Sequence, residues 1–432
     1  MTASRRQGQL ILFDNNRKFG AKPAWYGGKE SMKRIIYVVD DEPSVLETTV
    51  IILRRLGRDW EVTGFKEPFS ALEAVRVKAP DAILSDELMP GMQGSQLLEQ
   101  VRVLSPSTIR LIMSGCVALN KLTLITSAHQ YIAKPFDALK LRDLIQRSFM
   151  AQERIANQGL QSVMTSIRSI PSLPQAHHAL LAELEDSRTT TTTIARLIGE
   201  DPGLSVKVLH LANTALFGQG YLITSPIDAV NCLGTDMISA IVLSQSLFRH
   251  YEKLKHSEID LPQVWSHCWE TACLAQRLCR EKKLPHKIGE EAFLAGLLHE
   301  VGRFILIDNF PDQFQAACDS ARQAKIPLTE CLRKTFGASP FQMSACVLEL
   351  WGLPSAIVNC IFFQDNPEKD PAPGFSMTSA FYVADRIASR AFPPDSFPLE
   401  DWKTSYLQSV GCADDIPLWE KFAMNSEGDP RR

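Results

Sequence analysis

The chain has 432 residues, too many for one ordinary core at about 100 to 200 residues per domain, so it divides into two or three units. Hydrophobic residues make up 45% and charged residues 22%, which excludes a largely disordered chain. A net charge of −3 gives no overall positive field for nucleic acid, the ten cysteines form neither a CxxC pair nor a dense disulfide spacing, and no apolar run approaches the roughly 20 residues that span a bilayer.

Residues 1–31 are polar and Gly-rich around one short apolar stretch, Leu10 to Phe13, and Met32-Lys33-Arg34 stands directly before a strand pattern. They read as an N-terminal extension, either disordered or upstream of a start at Met32. Without a signal-peptide pattern, the expected location is the cytoplasm.

From Ile35 the apolar spacing alternates between strand and helix repeats. It predicts strand 35–39, helix 43–56, strand 60–65, helix 68–78 and a buried strand 82–85. Helix 94–104, strand 110–114, a weaker helix near 119–127, strand 130–133 and helix 137–149 follow. Five βα units imply a doubly wound α/β domain with a five-stranded parallel sheet, whose ligands bind beyond the carboxyl ends of the strands.

Asp40 and Asp41 follow the first strand, Asp86 follows the third, Ser114 ends the fourth, and Lys134 ends the fifth before Pro135. Each alone is ordinary, since aspartates cap strand ends and lysines line surfaces. Together, three neighbouring carboxylates repel one another unless a cation joins them, and an oxygen-only cluster suits Mg²⁺. Beside such a metal and the Lys134 ammonium, Asp86 can act as nucleophile towards a phosphoryl group. Ser114 can bond a phosphoryl oxygen, and its movement can let Tyr131 change rotamer.

The segments Val38-Val39-Asp40-Asp41-Glu42, Ser85-Asp86-Glu87-Leu88-Met89-Pro90-Gly91-Met92-Gln93-Gly94, Met113-Ser114-Gly115 and Lys134-Pro135-Phe136 resemble the response-regulator receiver family over residues 33–150. That resemblance implies a flavodoxin-like fold and Asp86 as phosphoacceptor. It also implies a Mg²⁺ site of Asp40, Asp41, Asp86 and the Leu88 carbonyl, with Ser114, Lys134 and Tyr131 as phosphate contacts and switch. A sensor histidine kinase or phosphotransfer protein is the expected phosphate source.

A connecting helix is expected over 151–168, with Ile155, Leu160 and Val163 as a partial apolar stripe. Beyond the loop 169–175, strand patterns nearly vanish and amphipathic segments are separated by breakers at Asp201-Pro202 and Leu353-Pro354, which predicts an all-α domain. Threonines 189–193, ahead of the apolar segment 194–198, suit a helix N-cap.

The segments Ile170-Pro171-Ser172-Leu173-Pro174, Glu200-Asp201-Pro202-Gly203-Leu204, Val208-Leu209-His210-Leu211-Ala212-Asn213, Ala229-Val230-Asn231-Cys232-Leu233-Gly234 and Gly296-Leu297-Leu298-His299-Glu300-Val301-Gly302 resemble the HDOD family over residues 160–365. HDOD domains are helical relatives of the HD phosphohydrolases, in which a His, a His-Asp pair and a distant Asp hold a metal that activates water. The matching positions are His267, His299, Glu300 and Asp385. Glu300 replaces the family aspartate, and its extra methylene is a large shift where ligand distances hold to about 0.2 Å. No histidine pair stands near Phe362-Phe363-Gln364-Asp365. These positions therefore read as vestigial, with no metal expected in the HDOD domain and the histidines acting as buried hydrogen-bonding residues.

Residues 366–432 read as a helical extension with a frayed polar end from Asn425 and no assigned chemistry. The favoured function is a phosphorelay response regulator whose HDOD output works by protein contact, with a cyclic di-GMP turnover enzyme as one candidate partner and homodimerisation as a further option. The alternative is a phosphorylation-regulated, metal-dependent HD-type phosphohydrolase. A transcription factor is disfavoured, because no basic recognition helix is visible, and neither nucleic acid nor membrane is an expected partner.

Overall fold

Alternating side-chain faces organise the first half of the chain. In the computed structural model, β1 (Arg34–Val39), β2 (Trp60–Phe65), β3 (Ala82–Asp86), β4 (Ile109–Gly115) and β5 (Gln130–Lys134) form one parallel sheet in the order β2-β1-β3-β4-β5. The structure describes residues 33–57, 59–115, 128–153, 180, 183, 189–201, 204–206, 208–209, 212, 223–243, 259–391 and 393–424. The expected helix near 119–127, the extension 1–31, the end from Asn425 and all but the first three residues of the expected connecting helix lie outside them.

Ile36 and Val38 pack with α1 (Pro43–Leu56) and α4 (Ala138–Glu153), while Tyr37 and Val39 pack with α2 (Pro68–Val77) and α3 (Gly94–Leu104). Two-residue periodicity sends successive side chains to opposite faces, and helices cover both. The central strand β3 is consequently buried along its whole length.

The second half is helical among the described residues. Its helices are α5 (Thr191–Gly199), α6 (Pro226–Leu243), α7 (Leu261–Glu281), α8 (His286–Leu298), α9 (Val301–Asn309) and α10 (Pro311–Ala324). They continue with α11 (Leu328–Phe336), α12 (Pro340–Leu350), α13 (Ser355–Phe362), α14 (Met377–Ala391), α15 (Thr404–Ser409) and α16 (Ile416–Met424). Thr190 caps α5, its hydroxyl accepting from the Thr193 amide, so the threonine run serves as the expected N-cap.

Two glycines let helices meet backbone to backbone. A Cβ at Gly296 of α8 would stand 2.5 Å from Ala272 Cα of α7, and one at Gly302 of α9 would stand 2.1 Å from the Pro340 carbonyl oxygen of α12. The C-terminal helices close a second core on α7 and α8 through Leu278, Ala292, Tyr382, Tyr406 and Trp419. Residues Arg34–Arg432 form one compact unit, in which α4 packs against α12. Of the nine described cysteines, all but Cys232 and Cys273 are buried.

Candidate functional site

Strand ends assemble an acidic pocket. Asp40 follows β1 and is buried, Asp86 is the last residue of β3, and Lys134 is the last of β5. Lys134 Nζ lies 2.7 Å from Asp40 Oδ2 and is also ion-paired with Asp86 Oδ1. The remaining oxygens accept backbone amides, Glu42 to Asp40 Oδ1 at 3.0 Å and Leu88 to Asp86 Oδ2 at 2.7 Å. Asp41 is exposed in the adjacent loop, Ser114 pairs in register with Ala133, and Tyr131 pairs with Ile112.

Burial pushes the Asp40 carboxyl above its usual range, with the Lys134 bond working in the opposite direction. For Lys134, burial works to lower the pKa, but bonds to Asp40 and Asp86 outweigh it and raise it. A charged ammonium thus bridges two carboxylates, and the side chain is still 23% exposed. Lys134 neutralises this spot, and the carboxylate oxygens of Asp40 and Asp86 are the hard donors that a cation such as Mg²⁺ takes.

Sequence reasoning gave no role to Gly94 or Glu87. A Cβ at Gly94 would stand 2.0 Å from the Asp86 carbonyl oxygen, so glycine lets α3 start directly beneath the pocket. Buried Glu87 accepts from the Ser95 amide at 2.8 Å and its hydroxyl at 3.0 Å, pinning the same turn. A glycine at the predicted start of helix 94–104 was the available signal.

The second constellation lies in the helical half, where α7 supplies His267, the α8–α9 junction His299 and Glu300, and α14 Asp385. All four are buried. The two Nε2 atoms are 3.2 Å apart, and Asp385 Oδ1 is 3.1 Å from that of His267 and 3.4 Å from that of His299. His299 Nδ1 is 2.6 Å from the Gly296 carbonyl, which can only accept, so this nitrogen carries a proton. Burial works to lower the His299 pKa, but the Asp385 bond and the charges of Glu300 and Asp385 outweigh it and raise it. Burial likewise opposes ionisation of Asp385, yet the two histidines hold its pKa well below the usual range.

Ligand atoms of His267, His299 and Glu300 all lie within 4.8 Å of one another, so the group could gather around an ion. Glu300, however, is already neutralised: Arg303 Nη2 donates to Oε1 at 3.0 Å and Nε lies 2.7 Å from Oε2. Arg303 Nη1 in turn donates to Asp395 Oδ2 at 2.6 Å. Burial would lower the Arg303 pKa, but Glu300 and Asp395 outweigh it and raise it. His267, His299 and Asp385 fit a cation, whereas Glu300 fits Arg303.

Arg303, Asp395, Gln364 and Ser344 were missed in the sequence. Gln364 Nε2 donates to Asp385 Oδ2 at 2.7 Å, at the place where a histidine pair was sought. Ser344 Oγ donates to the His299 carbonyl at 2.5 Å and accepts from the Gly302 amide at 2.7 Å. Arg303 was legible as an (i, i+3) partner of Glu300. The tail, assigned no chemistry, in fact supplies Asp395 to Arg303 and Glu400 to Arg386.

Family comparisons agree with this division. The response regulator receiver domain model matches residues 36–146 and the HDOD domain model matches residues 170–367. An uncharacterized protein of Treponema pallidum (strain Nichols) is 23% identical over 207 residues, 48% of this chain and 39% of that one. The DNA-binding response regulator MtrA of Mycolicibacterium smegmatis is 35% identical over 119 residues, 27% of this chain and 50% of that one. The chain thus spans half or less of the length of these curated relatives. Among solved structures, the MmoQ response regulator of Methylococcus capsulatus str. Bath is similar at 21% identity and a TM-score of 0.46, covering 58% of this chain and 98% of that one. No described helix is long and apolar enough to cross a membrane. The chain therefore joins an N-terminal response regulator receiver domain to a C-terminal HDOD domain.

Proposed function

We propose that the protein is a phosphorylation-switched adaptor in a bacterial two-component phosphorelay. Asp86 accepts a phosphoryl group from a sensor histidine kinase or phosphotransfer protein: the donor P–N bond breaks as an Asp86 Oδ–P bond forms. The observation that carries this reading is the Lys134 ammonium held jointly by Asp40 and Asp86. Released from Asp86, it can follow the charge onto the phosphoryl oxygens. Asp40, Asp41, Asp86 and the Leu88 carbonyl would hold Mg²⁺, which offsets phosphoryl charge when bound. Ser114, one register position before the Gly115–Lys134 pair, would bond a phosphoryl oxygen, and Tyr131 would answer its movement.

The HDOD domain then signals by protein contact in the cytoplasm, a reading supported by the Arg303 lock on Glu300. A cyclic di-GMP turnover enzyme is one partner to test by co-purification with phosphorylated and unphosphorylated protein. The test of the receiver reading is incubation with a small acyl phosphodonor and Mg²⁺. Wild type gains an acyl phosphate and Asp86→Asn does not; equal labelling of both would place the acceptor elsewhere.

A second reading, metal-dependent phosphohydrolysis, is favoured by the convergence of His267, His299 and Asp385. Elemental analysis of purified protein, paired with nucleotide hydrolysis assays, separates the two. Stoichiometric transition metal with turnover lost in Asp385→Ala would select hydrolysis.

A further inference from the structure

Helix α12 is buried along its length except at Gln342, and each end meets a different domain. At its C-terminus, the Leu350 carbonyl accepts a hydrogen bond from Gln130 Nε2 at 2.6 Å. Gln130 is buried at the start of β5, the strand that Lys134 ends. Two residues beyond Leu350, Gly352 has a φ of 78°, and a Cβ there would stand 2.6 Å from Gln130 Nε2. Near the N-terminus, the Phe341 ring stacks on His299 with centroids 5.9 Å apart, and Ser344 bonds the His299 carbonyl. Between these ends the helix packs on α4 of the receiver and α9 of the output domain.

We infer that α12 is the lever that carries the phosphorylation state of Asp86 to His299, with Gln130 and Ser344 as positioning residues at its ends. The inference rests on Asp86 being the phosphoacceptor. An α-helix of this length is a rod of roughly 16 Å, and in a close-packed interior it shifts as a body rather than deforming. When Lys134 leaves Asp86 for a phosphoryl oxygen, the load on β5 changes, and Gln130 transmits that change to Leu350. The rod's other end holds His299 by ring and by backbone, so the histidine cluster senses the displacement. Phosphate changes the output only as far as it stabilises one of two arrangements, and the coupling runs equally in both directions.

The test uses the full chain with ¹³C-labelled histidine, its signals assigned by single His→Gln variants, and beryllofluoride with Mg²⁺ as the probe. In wild type, probe binding moves the His299 signal. In Gln130→Ala and in Ser344→Ala most of that movement is lost, and probe affinity changes on the order of 5-fold or more, as reciprocity requires. A merely structural role would lower the melting temperature of either variant without removing the probe-dependent shift. Binding in wild type with a still His299 signal overturns the lever and leaves the phosphoacceptor reading intact. So does a His299 shift that survives in both variants. Failure of wild type to bind the probe overturns the phosphoacceptor reading, and the lever with it.

Discussion

The two constellations solve the same electrostatic problem with different cations. In the receiver, Asp40 and Asp86 share Lys134, whose flexible side chain remains 23% exposed. In the HDOD domain, Glu300 and Asp395 share Arg303, whose side chain is 3% exposed and whose planar fork is engaged on both sides. A lysine at a strand end can exchange one acceptor for another, whereas a buried arginine between two carboxylates stays where it is. The receiver pocket is thus poised for a change of charge, and the output cluster is built to hold one.

Breaking the comparison at its most sensitive points gives a series of expected effects. Asp86→Asn should remove acyl phosphate entirely, and Lys134→Ala should slow phosphorylation on the order of 10²-fold or more, read by rapid-quench labelling. Arg303→Met should destabilise by about 3–5 kcal/mol in urea titrations, because it strands Glu300 and Asp395 without their buried cation. A loss below about 1 kcal/mol would mean that the lock contributes no more than a surface ion pair.

Stability should also depend on pH through His299. Its folded pKa is raised, so its contribution is fully present below the ordinary imidazole value of about 6.5 and is lost as pH rises through the folded value. Urea unfolding should show greater stability at mildly acid than at mildly alkaline pH, and Asp385→Asn should flatten that difference. The smallest effect sharpens the account of α5: Thr190→Ala should cost about 1 kcal/mol through the lost cap.

The receiver was legible because its order is local. Two-residue alternation from Ile36 to Val39 set the two faces of the sheet, and the rule that ligands bind at strand ends selected Asp40, Asp86 and Lys134. The histidine cluster was legible only by resemblance, since His267 and Asp385 are separated by 118 positions and no periodicity links them. Arg303–Asp395 and Gln364–Asp385 escaped for the same reason, being long-range pairings created by helix packing. The bond between Gln130 and Leu350, spanning 220 positions, belongs to that class. Of the connecting helix expected at 151–168, only Ala151 to Glu153 fall within the described residues, as the end of α4.

The most direct measurement is intact-mass spectrometry of the full chain after treatment with a phosphodonor and Mg²⁺, followed by hydroxylamine. Wild type should gain a single phosphoryl group that hydroxylamine removes, and Asp86→Asn should gain none. A hydroxylamine-resistant phosphate, or equal uptake by both proteins, would contradict the assignment of Asp86 as the switch.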